Sequence, residues 1–120
     1  MFSAAKVIIY HNPRCSKSRA TLDLIRSRGI EHQVIDYLKT PPSQQELEHI
    51  LECLAMEPRD LMRTHEPEYR EAALDDQGLG RETLILAMLQ RPRLIERPIV
   101  VVGDKAAIGR PPENVLGILP

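Results

Sequence analysis

Between Ala5 and Leu38 an apolar run, a segment of helical spacing and a second strand-like run follow one another. No other feature narrows the possible folds as much. "AKVIIY" (Ala5–Tyr10) is a continuous apolar run, short enough for a buried strand, and His11, Asn12 and Pro13 end it. A helix then starts near Cys15 or Ser16 and runs through "SRATLDLIRSRG" to Gly29, which is placed like a residue just past a helix C-terminus. "HQVIDYL" (His32–Leu38) reads as the second strand. Strand, helix and strand within about 33 residues have the length of a βαβ unit, which places the two strands parallel through a right-handed crossover.

The middle of the chain reads as helical. "TPPSQQELEHILECL" carries Leu47, Ile50, Leu51 and Leu54 on one face, with proline just inside its start. "PRDLMR" suggests a short helix or turn from Pro58, and "PEYREAAL" another from Glu68. "RETLILAMLQ" (Arg81–Gln90) is the most apolar segment, as expected of a helix buried on several sides. The period then changes. Ile99–Val102 is a strand, Gly103-Asp104 a two-residue hairpin turn and Lys105–Ile108 the return strand. "PPENVLGIL" closes the chain as a helix. The order β-α-β, helical block, β-β-α gives four strands, the first pair parallel and the last antiparallel. One α/β domain over 1–120 is expected, with the helical insertion at about 43–91.

Charge and composition exclude several functions. Sixteen basic against 17 acidic residues leave a net charge of -1, and aromatics are only 3%, so neither a field nor a stacking surface for nucleic acid is expected. No apolar stretch reaches membrane-spanning length, and two cysteines, Cys15 and Cys53, are too few for a secreted disulfide framework. A cytoplasmic protein, with any basic site local, is the expectation.

Cys15 carries the chemistry. It sits in "YHNPRCSKSR", at the end of a strand and the mouth of a helix, with Arg14, Lys17 and Arg19 close by in sequence. Helix N-termini favour anions, both a thiolate and a bound oxyanion. A free cysteine of pKa about 8.5 is only about 3% thiolate at pH 7, and a helix start with nearby cations lowers that pKa. Position and neighbours together favour a reactive thiol over a buried structural one. Spacing narrows the chemistry. Ser18 stands where a C-x-x-C motif would have its second cysteine, so it can donate to the thiolate but cannot resolve a disulfide. The C-x5-R phosphatase loop is absent, and no spacing suits a metal. Cys53, beside the Leu47/Ile50/Leu54 stripe, reads as a small core residue rather than a resolving thiol. His32, His49 and His65 read as surface or strand-end residues.

"YHNPRCSKSR", "TPP" at 40–42, "LMR" before a Glu-Pro, "RPIVVV" and "IGRPPENVLGIL" resemble, in order and over nearly the whole chain, the glutaredoxin-like arsenate reductases. The resemblance implies a thioredoxin-like (glutaredoxin-like) four-stranded mixed sheet with a helical insertion. It places Cys15 on the nucleophile and Arg63, Arg97 and Arg110 on the oxyanion site, where planar guanidinium forks suit a tetrahedral anion. Taken alone, Arg63 reads as a surface helix residue, and Arg97 and Arg110 as loop residues. His11 and Ser18 match residues supporting the nucleophile, and Pro98 a cis-proline facing it. The chain departs from the family's well-known reductases in reading Cys-Ser-Lys-Ser where they read Cys-Gly-Thr-Ser.

The reaction so implied is reduction of arsenate to arsenite in the cytoplasm, with glutathione as co-substrate, glutaredoxin as partner and no tightly bound cofactor or metal. Two alternatives remain open at this point. A glutathione-dependent thiol reductase acting on mixed disulfides would use the arginines for the carboxylates of glutathione. A polymerase-binding regulator is less consistent with the missing C-x-x-C switch.

Overall fold

The computed structural model describes residues 6–120, which fall into two compact units: residues up to Thr40 together with Arg97–Pro120, and Pro41–Glu96. Ala5, placed in the first strand from the sequence, lies outside the described residues.

In the first unit the strands β1 (Val7–His11), β2 (His32–Asp36), β3 (Ile99–Val102) and β4 (Lys105–Ile108) form one sheet of order β2-β1-β3-β4. β1 pairs with β2 in parallel, while β1/β3 and β3/β4 are antiparallel. This is the mixed sheet expected from the sequence. The two central strands are the most apolar, and every residue of β3 is buried. Helix α1 (Ser16–Ser27) turns Ser18, Thr21, Leu22 and Ile25 inward at helical spacing. Leu22 and Ile25 meet Val7, Ile9, Val100, Val102 and Val115 in the core. Gly29 takes a φ of 65° after the helix end, a conformation glycine adopts without steric cost. Gly103, at φ 63°, does the same in the β3–β4 turn.

Two boundaries differ from expectation. β2 stops at Asp36 rather than Leu38, because the Asp36 carboxylate accepts from the Leu38 amide at 3.2 Å and its carbonyl from Thr40 at 2.8 Å. The closing segment Pro112–Ile118 is a 3₁₀ helix, not an α-helix. Its start is held by an Asn114 amide bond to the Pro111 carbonyl, the i,i+3 spacing of the tighter helix.

The second unit holds α2 (Gln44–Leu54), α3 (Pro58–Leu61), α4 (Pro67–Glu71), α5 (Arg81–Gln90) and a 3₁₀ turn at Pro92–Leu94. Prolines 41 and 42 precede α2 instead of opening it. The cap is Ser43, whose hydroxyl accepts from the Glu46 amide at 3.0 Å while the Glu46 carboxylate accepts from the Ser43 amide at 2.8 Å. The S-x-x-E signal for this capping box is present in "SQQE". Ser43→Ala should therefore cost about 1 kcal/mol, read as a lower urea midpoint, with Ser43→Asp close to the parent. Helix α5 packs on α2 and α3 through Leu84, Ile85, Ala87 and Met88, and leaves Leu86 exposed. It thus buries one broad face, not several sides.

Cys53 is not a core residue. It lies about 110° round α2 from the centre of the buried stripe, so it is half-exposed, and its Sγ meets His49 Nε2 one turn back at 3.4 Å. No helix among the described residues is long and apolar enough to cross a membrane.

Candidate active site

The turn between β1 and α1 fixes the cysteine. The buried Asn12 accepts twice: its side-chain oxygen from the Arg14 amide at 3.0 Å, its carbonyl from the Cys15 amide at 3.0 Å. Cys15 thereby becomes the N-cap of α1 in extended conformation. Its sulfur faces the amides of the first helical turn, which have no partner within the helix.

Ser18 contributes differently from expectation. Its fully buried hydroxyl accepts from the Asn12 amide at 2.9 Å and lies 2.8 Å from His11 Nδ1. Ser18 therefore reaches Cys15 through its backbone amide, not its hydroxyl. With the hydroxyl proton assigned to Nδ1, His11 is neutral and protonated at Nε2. Burial, reinforced by the charges of Arg26 and Arg19 and opposed by Asp36, lowers the His11 pKa from 6.5. His11 thus acts as an uncharged prop under the helix start.

Burial works against ionisation of Cys15. The Ser18 and Lys17 amides, followed by a hydrogen bond and the charge of Arg97, outweigh it and hold the thiol below its ordinary pKa. Arg110 Nη1 lies 3.7 Å from Cys15 Sγ and donates to the Arg97 carbonyl at 3.4 Å. The cations on the thiol thus come from the far end of the chain. Arg14 and Lys17 are exposed, and Arg19 donates to the Pro13 carbonyl at 2.9 Å. Because the thiolate is the reactive form, the alkylation curve of Cys15 should shift to lower pH than that of a free thiol. The measurement is iodoacetamide rate against pH in Cys53→Ser protein, and a midpoint at or above about 8.5 contradicts it.

Pro98 follows Arg97 through a cis peptide, the isomer the resemblance implies, and a second cis bond joins Arg110 to Pro111. Arg63 belongs to the second unit. It follows α3 instead of lying on a helix surface, and its side chain is only 12% exposed. Its guanidinium is bonded to Glu66 at 3.1 Å and Glu96 at 2.7 Å, with His65 at 3.1 Å, and burial is outweighed by these carboxylates in raising its pKa. Within the first unit, then, Cys15, Arg97, Arg110, Ser18 and His11 come together. Asn12 was missed as the residue that shapes the turn, although Asn-Pro is a turn-initiating pair. No group of three or more His, Cys, Asp or Glu side chains among the described residues is arranged to hold a metal.

The model of the ArsC family matches residues 10–118 of this chain. The chain belongs to the ArsC family. The uncharacterized protein YfgD of Escherichia coli K12 is 52% identical over 115 residues, covering 95% of this chain and 97% of that protein. The arsenate reductase of Neisseria meningitidis serogroup A is 45% identical over 115 residues, covering 95% and 98%. The solved structure of an arsenate reductase from Vibrio cholerae is 51% identical and superposes with a TM-score of 0.93 over 98% of this chain and all (100%) of the other. The first unit's sheet is accordingly the thioredoxin-like sheet of ArsC-family structures.

Proposed function

We propose that this ArsC-family protein is a cytoplasmic arsenate reductase that works through a Cys15 thiolate, with glutathione as co-substrate and glutaredoxin as partner. The observation that carries the reading is the pair Arg97 and Arg110 beside the Cys15 sulfur, at a helix N-terminus. An anionic nucleophile and an anionic substrate repel each other, and only fixed positive groups at the meeting point offset that repulsion. Relatives at 45% identity that bear the name arsenate reductase support the substrate.

In this reading the Cys15 thiolate attacks arsenic and displaces water or hydroxide. Glutathione attacks the adduct and displaces a second hydroxide or water. A glutaredoxin thiol takes up the glutathionyl group and leaves arsenic in the +3 state on Cys15. Water then adds to arsenic and breaks the Cys15–As bond, so that arsenite leaves and the thiolate is restored. The two electrons that take arsenic from the +5 to the +3 state come from the two external thiols, which end as one disulfide. Arg97 and Arg110 hold the oxyanion, and Arg63 is assigned as a third ligand on the resemblance alone. No residue of the chain is consumed, and no step calls on a metal or a tightly bound cofactor. The test is a coupled assay with arsenate, glutathione and glutaredoxin beside a mixed-disulfide substrate. Turnover of arsenate supports the reading. Turnover of the mixed disulfide alone replaces it with a thiol reductase.

A further inference from the structure

Both arginines of the site leave from backbone that converges on one buried side chain of α1. Thr21 is fully buried, and its Oγ1 lies 2.8 Å from the Lys17 carbonyl and 3.4 Å from the Gly109 carbonyl. Gly109 immediately precedes Arg110, and its amide donates to the Pro98 carbonyl at 2.9 Å, while Pro98 immediately follows Arg97. A Cβ on Gly109 would run into Thr21 Oγ1 on one side and Pro98 Cγ on the other. The absence of a side chain at Gly109 is therefore what lets the arginine-bearing loop close onto the helix. Beyond it, the Arg110 carbonyl is held by Asn114 Nδ2 at 3.0 Å. Lys17, whose carbonyl takes the shorter Thr21 bond, supplies one of the amides that face Cys15.

We propose that Thr21 and Gly109 form a latch that sets the position of Arg97 and Arg110 relative to Cys15, making Thr21 a positioning residue for the anion site. This rests on the reading of those arginines as anion ligands. The Thr21 hydroxyl has one proton shared unequally between two carbonyls, short to Lys17 in the first turn of α1 and long to Gly109 in the arginine loop, so it links the two halves of the site through a single group. Without the hydroxyl the Gly109 carbonyl loses a buried partner and the loop can shift. A shift of well under an ångström matters, because a charge-assisted contact depends steeply on distance and angle.

The variants are Thr21→Val, which keeps the branched shape and removes the hydroxyl, Thr21→Ser, which restores it, and Gly109→Ala. Two quantities are read in each: the pH midpoint of Cys15 alkylation, and the protection of Cys15 by inorganic sulfate. Neither requires arsenate turnover, so failure of the latch and failure of the reductase reading are separable. Thr21→Val should move the alkylation midpoint to higher pH and weaken sulfate protection about two- to tenfold, the scale of one buried hydrogen bond. Gly109→Ala should do more, and Thr21→Ser should return both quantities toward the parent. A drop in melting temperature with both readouts unchanged would mean that Thr21 only stabilises the fold, and would overturn the proposal. So would a Thr21→Val effect that Thr21→Ser fails to reverse. If sulfate gives no protection even in the parent, the oxyanion reading falls, and the alkylation midpoints alone decide the latch.

Discussion

Cys15→Ser should reduce arsenate turnover to background, while Cys53→Ser keeps most of it in the presence of glutathione. The first expectation follows from chemistry. A serine hydroxyl at the same helix mouth remains protonated at neutral pH, so the amides of Lys17 and Ser18 and the Arg97 charge have no anion to stabilise. The second follows from where the electrons come from. Cys53 is half-exposed on α2 and spaced one turn from His49, and neither cysteine is in a disulfide. If external thiols supply both electrons, serine at Cys53 removes nothing the cycle uses. Steady-state assays on the two variants, with circular dichroism to confirm folding, measure both. Complete loss in folded Cys53→Ser would make Cys53 the resolving thiol and would remove the need for an external one.

The order of strands and helices was legible because its punctuation is local. An apolar run that stops at Asn-Pro, a helix that ends at glycine and a hairpin turned by Gly103-Asp104 each need only neighbours in sequence. Errors fell where a polar group competes with the pattern. Asp36 closes β2 early with an Asx turn, Ser43 caps α2 after the prolines, and 3₁₀ geometry replaces an α-helix after Pro111. The site divides in the same way. Cys15 at a helix start could be read from its own stretch. Its partners could not, since Arg97 and Arg110 reach it only after β1 and β3 have paired, and local spacing says nothing of that. The resemblance supplied those arginines. Neither pattern nor resemblance gave a role to Thr21 or Gly109, because a close backbone approach leaves no mark other than a glycine beside an arginine. The Ser18 hydroxyl was assigned to the wrong partner for a related reason: the buried His11 and the Asn12 amide compete for it, and burial cannot be read from a serine in isolation.

The arginines separate oxyanion chemistry from generic thiol chemistry. Lysine at Arg97 or Arg110 keeps the charge and loses the planar fork, so an oxyanion held by paired donors should not be rescued by it. Loss of one such clamp should cost on the order of 2–4 kcal/mol in the barrier, roughly 30- to 1000-fold in turnover. The thiol should respond far less. The Lys17 and Ser18 amides remain in both variants and lower the thiol more than Arg97 does, so Cys15 alkylation should stay comparatively fast. Arg97→Lys should raise the alkylation midpoint somewhat, because Arg97 acts on the sulfur in addition to its proposed role on the anion. Arg110→Lys should spare it more, at 3.7 Å from Sγ on an exposed side chain. Arg63→Lys tests the assignment that rests on resemblance. Because Arg63 is tied to Glu66 and Glu96, its variant needs a stability measurement beside the assay to separate lost binding from lost ion pairs. Turnover that falls while alkylation persists, with sulfate competing in the parent, is the signature of an oxyanion clamp. Unchanged arsenate turnover in Arg97→Lys and Arg110→Lys would remove that clamp from the mechanism and leave Cys15 as a thiol catalyst whose arginines only tune its charge.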